Sequence, residues 1–388
     1  VQADKHHRRV LLISNQVMHY RVAVYNYFHR RFAECGCDFQ VIADRLQKQN
    51  RIPPAFRLQE IPFSFRAYRR AINEVRPDAV ILFLLLKDLI MWPLAHWLKF
   101  KGIPFAIWTK GGNWDRKGSR LRYQAFNYLH SLSGGLILYA KECAEFVKPG
   151  LRSKCFVANN TLNFESFPEV RESNDEIKRE FGIPFRKVVL FVGRMGVDGG
   201  RKRVDMLVDI FRTLDRTDIG LVLVGAGMPD EIRARLNSKN TMYLGEVHDA
   251  KDLGVAKLFK MADVCAIPGH VGLTVNQAFY WGLPVVAAEG HHPPEAAYLK
   301  SGHNGFMVPE NDATAFKGKL LLLLDRDDLR AEFSRCARET ILGEASIEQM
   351  FSGFYNCVEF MTGERKNNIA SSPRTLPAAS AAGTVLKN

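Results

Sequence analysis

Two successive runs of short, β-rich apolar segments, each alternating with amphipathic stretches, constrain this chain more than any other feature of its sequence. Strands separated by helix-length segments can only pair in parallel, so the repeated alternation selects α/β layers over an antiparallel meander or a helical bundle. In the first run the strands read as VLLIS (10–14), DFQVIAD (38–44), AVILFLL (79–85), IPFAIWT (103–109), GGLILYA (134–140) and KCFVANN (154–160), with helical segments such as YNYFHRRFAE between them. The second run restarts at KVVLFVG (187–193) and continues through GLVLVG (220–225), TMYLG (241–245), DVCAIPG (263–269), PVVAAEG (284–290) and GFMVP (305–309). A polar, acidic stretch, SFPEVRESNDEIKREFGIP (166–184), separates the runs and reads as a linker leading into a helix. At 388 residues the chain exceeds what a single core usually accommodates. Two doubly wound domains are therefore expected, with a site in the cleft between the carboxyl ends of their strands.

Composition narrows the class. At 47% hydrophobic and 24% charged residues, the chain is neither disordered, collagenous nor multi-spanning. Its seven cysteines are scattered without the paired spacings of a zinc site or a disulfide framework, and read as free thiols in a reducing compartment. VLLIS is too short for the core of a signal peptide. The apolar stretch 79–100 is long enough to span a bilayer but is interrupted by Lys87, Asp88 and Pro93, so a buried strand followed by a helix fits better. Trp92, Trp97, Lys99 and Lys101 on that helix suit either core packing or rest on a lipid surface. From Asn367 the Ala, Ser, Pro and Thr-rich tail has no periodic apolar face and is expected to be disordered.

Charge is one-sided. Residues 1–150 carry 24 Lys+Arg against 11 Asp+Glu, whereas the remainder of the chain is neutral, so the whole excess of +13 lies in the first half. Such a field favours an anionic partner, which could be nucleic acid, a membrane surface or a phosphorylated substrate.

Two strings carry chemistry. In VLFVGRMGVDGGRKRVDMLVDIFRTL a strand ends at Gly193-Arg194, a Gly-rich loop follows, and Lys202 opens a helix. Backbone amides, a helix dipole and two fixed cations all favour a diphosphate. In DVCAIPGHVGLTVNQAFYWGLPVVAAEG a strand ends at Pro268-Gly269, and the loop runs through His270, Gly272 and Leu273 into a helix near Thr274, giving a second set of amides facing the same cleft.

With these strings in hand, the second half resembles the nucleotide-sugar-binding domain of GT-B glycosyltransferases of the retaining family 4 type. The resemblance covers residues 187–325 and includes LVLVGAGMPD, YLGEVHD and SGHNGFMVPENDATAF. It implies that Arg194 and Lys202 hold the donor diphosphate, that Gly193, Gly269, His270, Gly272, Leu273, Thr274 and Gln277 surround the donor, and that the backbone at Val247 lies against the base. More loosely, ISNQVMHYRVAVYNYFHRRF and NNTLNFESF resemble the family's first half. By that resemblance residues 1–165 form an acceptor domain, 166–344 the nucleotide-sugar domain and 345–366 a helix crossing back, with 367–388 as the tail. Tyr20, Arg21, Thr109 and Lys110 are then acceptor-side candidates, and Arg66, Arg69, Arg70, Arg116, Lys117 and Arg120 candidates for an anionic acceptor or lipid headgroup.

One departure stands out. The family usually carries two glutamates across the second loop, at positions that fall here on Gly269 and Gln277. Gln277 can still bond ribose hydroxyls, whereas Gly269 offers only backbone; Glu289, His291, His292 and Glu295 lie close enough in sequence to supply a replacement. His270, His291, His292 and His303 match no metal-ligand spacing, and the resemblance implies neither metal nor cofactor. The expected activity is transfer of a sugar from a UDP or GDP donor to a glycan or lipid-linked acceptor, at the inner face of a membrane and without nucleic acid. A GT-B-shaped nucleotide-sugar epimerase and a non-catalytic nucleotide-sugar or membrane-binding homologue remain alternatives.

Overall fold

A computed structural model describes residues 7–47, 52–83, 88–112, 120–196, 202–237, 239–247 and 253–363. In chain order the first half contains β1 (Arg8–Ile13), β2 (Gln16–Val17), α1 (His19–Glu34), β3 (Cys37–Ala43), β4 (Arg45–Leu46), β5 (Arg57–Glu60), α2 (Phe65–Val75), β6 (Ala79–Phe83), α3 (Met91–Phe100), β7 (Phe105–Thr109), α4 (Arg120–Leu132), β8 (Gly135–Leu138) and β9 (Cys155–Val157). Seven of these strands form one parallel sheet in the order β5-β3-β1-β6-β7-β8-β9, and β2 pairs with β4 beside it.

The second half contains α5 (Asn174–Glu180), β10 (Lys187–Val192), α6 (Val204–Arg212), β11 (Ile219–Val224), α7 (Asp230–Arg233), β12 (Thr241–Gly245), α8 (Gly254–Met261), β13 (Val264–Ile267), α9 (Thr274–Tyr280), β14 (Val285–Ala288), β15 (Gly305–Val308), α10 (Ala313–Asp325), α11 (Asp327–Glu344) and α12 (Ile347–Thr362). Its six strands are also all parallel, in the order β12-β11-β10-β13-β14-β15. Two Rossmann-like halves result, each with its central strands fully buried from both faces, which is why those strands read as unbroken apolar runs.

The last helix does not stay with the second sheet. A capping box between Ser346 and Gln349 starts α12. Ile347, Met350, Phe351, Phe354, Cys357 and Val358 then enter the core of the first half. Phe354 lies 4.8 Å from the Phe28 ring and 5.0 Å from that of Trp108, while Phe351 lies 5.0 Å from Phe32. An ion pair of 2.8 Å from Arg31 to Glu348 fixes the start of the helix on α1.

The expected strands are all present, most with ends within two residues of those read from the sequence. AVILFLL is described only to Phe83, and the rest of the segment lies outside the described residues. KCFVANN pairs only over Cys155–Val157, because the chain then turns through Asn159 at φ +46°. α1 begins at His19, six residues before the expected YNYFHRRFAE. The sheet-edge strand β5, RLQE, gave no apolar alternation to read, since it pairs on one side and is only partly covered. The linker helix forms as α5 with a capping box between Ser173 and Glu176. The tail 367–388 lies outside the described residues. Among the described residues no helix is long and apolar enough to cross a membrane, and all seven cysteines are free.

Close helix-to-strand approach explains Gly353. A Cβ there would sit 2.5 Å from the Val157 carbonyl oxygen and 2.7 Å from the Ala158 Cα, both backbone atoms. Gly353→Ala is expected to destabilise the fold by about 1–3 kcal/mol through overpacking, read as a lower denaturant midpoint at unchanged slope. An unchanged midpoint would mean that α12 does not dock at this distance.

Candidate functional site

Strand order reverses between β1 and β6 in the first sheet and between β10 and β13 in the second. Loops leaving the two strands at such a reversal diverge to opposite faces and open a crevice at the carboxyl ends. In this molecule the two crevices face each other and merge into one cleft of about 680 Å³. His19, Tyr20 and Arg21 follow β1, Phe83 ends β6, and Thr109, Lys110 and Gly112 follow β7. From the other side come Arg194 after β10, Lys202 before α6, and His270, Gly272, Leu273, Thr274 and Gln277 around the start of α9.

The cationic end is built around Lys202. Its Nζ donates to the carbonyl oxygens of His270 at 2.5 Å and Val271 at 3.1 Å, tying the loop after β13 to the start of α6. Burial pushes the Lys202 ammonium down to about 8, against smaller opposing contributions from Cys265 and Glu295. Arg194 is exposed in the cleft, with no hydrogen bond or ion pair to another described residue. Gly193 lines no part of the cleft; the close approach beside it depends on Gly225, at φ +135°, where a Cβ would fall 2.0 Å from the Gly193 oxygen. Gly272, at φ +62°, provides the turn that leads into α9, and the Thr274 hydroxyl reaches the Val192 carbonyl at 3.5 Å. Gln277 lines the cleft; Gly269 and Val247 do not, Val247 being packed against the apolar core of the second half.

His292 braces this loop instead of facing the cleft. The Val271 N–H donates to its Nδ1 at 3.4 Å, and its Nε2 lies 2.7 Å from the Ala288 carbonyl, so Nε2 carries the proton. Burial, aided by the Lys202 charge, lowers its pKa and keeps it neutral. Glu289 and His291 are exposed outside the cleft, as is His303. Among the described residues no group of three or more His, Cys, Asp or Glu side chains is placed to hold a metal ion.

On the opposite wall Arg21 is buried at 5% exposure, and its guanidinium is already engaged. It donates to Asn160 Oδ1 at 2.5 Å and lies 4.7 Å over the Trp108 ring. Asn160 Nδ2 in turn donates to Glu295 Oε1, from the loop after β14 in the other half. Asn160 also accepts, through its backbone oxygen, from Asn276 Nδ2 at 3.1 Å and the Tyr298 hydroxyl at 3.4 Å. Arg21 thus serves as a brace between the halves. Thr109 is buried, and its hydroxyl accepts from the Gly111 N–H at 3.1 Å, while Lys110 extends over the Tyr139 ring at 5.7 Å. Arg66, Arg69, Arg70 and Arg120 are exposed on α2 and at the start of α4, away from the cleft, and Arg70 pairs with Glu74 at 2.8 Å. Arg116 and Lys117 lie outside the described residues.

Sequence reasoning passed over the aromatic wall of Phe83, Trp108, Phe126 and Tyr139, and also over Asn160. Their signals were present: Trp108 precedes Thr109 at the end of an expected strand, and Asn160 lies in the string NNTLNF.

The fold and the sequence of the second half have known counterparts. Residues 186–326 match the family profile described as glycosyl transferases group 1. A phosphatidyl-myo-inositol mannosyltransferase of Mycobacterium leprae is 30% identical over 165 residues, which are 40% of this chain and 42% of that protein. The chain therefore spans well under half the length of that curated relative. The fold is GT-B. A glycosyltransferase of Rickettsia africae superimposes with a TM-score of 0.71 at 14% identity, covering 92% of this chain and 100% of that structure. Anabaena HepE in complex with UDP and glucose also gives 0.71, at 13% identity, over 91% of this chain and 100% of the other.

Lys202 offers a direct check. One lysine ammonium should titrate near pH 8 by NMR of ¹³C-labelled side chains, vanish in Lys202→Arg, and move upward when an anion fills the cleft. A Lys202 signal titrating above 10 in the free protein would show that the ammonium is solvated.

Proposed function

We propose that the protein is a glycosyltransferase that moves a sugar from a UDP or GDP donor to a glycan or lipid-linked acceptor, without a metal ion and with retention at the anomeric carbon. The observation that carries the reading is the convergence of Arg194 and Lys202 on one cleft, beside the amides of Gly272, Leu273 and Thr274. Arg194 and Lys202 would hold the donor diphosphate and stabilise the charge that develops on it as the glycosidic bond breaks. Because burial leaves Lys202 close to losing its proton, an incoming diphosphate restores its full charge and gains strength from the dry surroundings. Gln277 would contact the ribose, and His270 would complete the donor site.

The acceptor would enter from the first half, where Tyr20, Thr109 and Lys110 line the opposite wall. Arg21 serves that wall by fixing Asn160. Closure of the halves would orient the acceptor hydroxyl and exclude water, the main contributions required of the protein itself. The excess positive charge of residues 1–150 suits an anionic or lipid-linked acceptor at the inner face of a membrane. Arg120 and Arg122 at the start of α4, with exposed Leu121 and Tyr123 beside them, form the part of that surface best suited to lipid headgroups. The mannosyltransferase relative, named for phosphatidyl-myo-inositol, supports a lipid-linked acceptor. HepE with bound UDP and glucose supports a nucleotide-sugar donor.

Arg194→Ala is the cleaner test, because that side chain supports nothing else. Sugar transfer measured in EDTA should fall about 10²–10⁴-fold in Arg194→Ala and in Lys202→Ala, with little change in Tm for Arg194→Ala. Calorimetry should show micromolar binding of either UDP or GDP to the wild type, lost in Arg194→Ala. Near-normal rates in both variants would remove these residues from the mechanism, and an absolute need for added metal would overturn the metal-free route.

A further inference from the structure

Two residues lining the cleft each bury a polar atom that has no hydrogen-bond partner among the described residues: Oε2 of Glu295 and Nε1 of Trp108. Glu295 is only 4% exposed and Trp108 only 1%, so both atoms are withdrawn from bulk solvent. Leaving buried groups unpaired is costly, and such groups in a cleft point to a ligand that completes them.

The surroundings define what that ligand offers. The Trp108 indole is packed by Tyr139, stacked at 5.3 Å and 22°, by the Arg21 guanidinium at 4.7 Å, and by Phe83 and Phe354, each at 5.0 Å. Its unpaired N–H can only donate. Glu295 is held from the other side, since its Oε1 accepts from Asn160, itself fixed by Arg21 at 2.5 Å. Its free Oε2 can only accept. An anionic group would satisfy the indole but be repelled by the carboxylate, and a cation would do the reverse. A group of hydroxyls satisfies both, one donating to Glu295 and another accepting from Trp108.

We infer that Glu295 and Trp108 form a subsite for a neutral, hydroxyl-bearing sugar ring, in which Glu295 is the specificity-determining residue and Asn160 and Arg21 are positioning residues. This rests on the donor reading above and adds which part of the donor is recognised, and by which groups. The subsite joins the two halves: Glu295 follows β14, Trp108 lies on β7, and the sugar would be enclosed where they meet. It also places a carboxylate in the cleft by a route independent of Gly269, where the second loop offers none.

Calorimetry on the full chain in EDTA tests it, with UDP against UDP-glucose and GDP against GDP-mannose as probes. The readout is the ratio of the sugar-nucleotide Kd to the Kd of its parent nucleotide. Glu295→Gln places two donors against the hydroxyl, and should raise that ratio about tenfold while the nucleotide Kd changes less than about twofold. Trp108→Phe keeps the ring and removes the N–H; it should raise the ratio in the same direction, and it stands as an independent arm should Glu295→Gln fail to fold. An unchanged ratio in the folded variants overturns the subsite, as does equal loss of nucleotide and sugar nucleotide. If the wild type binds neither nucleotide, the donor reading itself fails and the subsite with it.

Discussion

In a parallel sheet wound outward in both directions from a central strand, the loops at the reversal must part, because right-handed crossovers carry successive helices to opposite faces. This chain meets that constraint twice, beside β1 and beside β10, and the cleft is the space the two partings leave when the sheets face each other. The side chains that follow β1 and β10 inherit their positions from it. Tyr20 and Arg21 reach the cleft because β1 is central, and Arg194 because β10 is. An edge strand such as β5 could carry the same residues and present them to solvent.

What holds the halves in register is largely polar. Asn160 sits where the chain leaves the first sheet, and its side chain bonds Arg21 on one side and Glu295 on the other. Its backbone oxygen takes Asn276 and Tyr298 from the second half. Buried hydrogen bonds of this kind contribute little net stability each, yet they are directional, so they specify one mutual arrangement where an apolar seam would tolerate sliding. The apolar part of the union is α12, whose Phe351 and Phe354 pack into the first core after the chain has completed the second. Phe354 also backs Trp108, so the last helix of the chain supports the cleft wall from behind.

Much of this was legible in the sequence, for a physical reason. Strands buried on both faces must be apolar throughout, so β1, β6, β10 and β11 announced themselves, and the glycines at the reversals marked the loops. Arg194, Lys202, Gly272 and Thr274 could be named because they follow strand ends in order along the chain, and Gln277 from the resemblance of the second half to a known family. The brace could not. Arg21, Asn160 and Glu295 are separated by more than a hundred residues at each step, and nothing local distinguishes a buried arginine bonded across two domains from one that faces a ligand. His292 was equally opaque, since only the fold places the Val271 amide against one nitrogen and the Ala288 carbonyl against the other. The edge strand β5 escaped because pairing on one side imposes no apolar pattern.

The cations of the cleft meet different electrostatic demands. Lys202 is burdened by burial and would gain from an incoming anion, whereas Arg21 is fully engaged, with Glu295 linked to it through Asn160. A cleft whose cations were all free would bind any polyanion of suitable size. Arg21 is committed to structure whereas Arg194 is open to the cleft, so the cations that line it are not equivalent. A ligand that paired with Arg194 and not with Arg21 would be oriented on entry, before any closure of the halves. Orientation of this kind lowers the entropic cost of bringing the reacting groups together, and it follows from where the charges are placed.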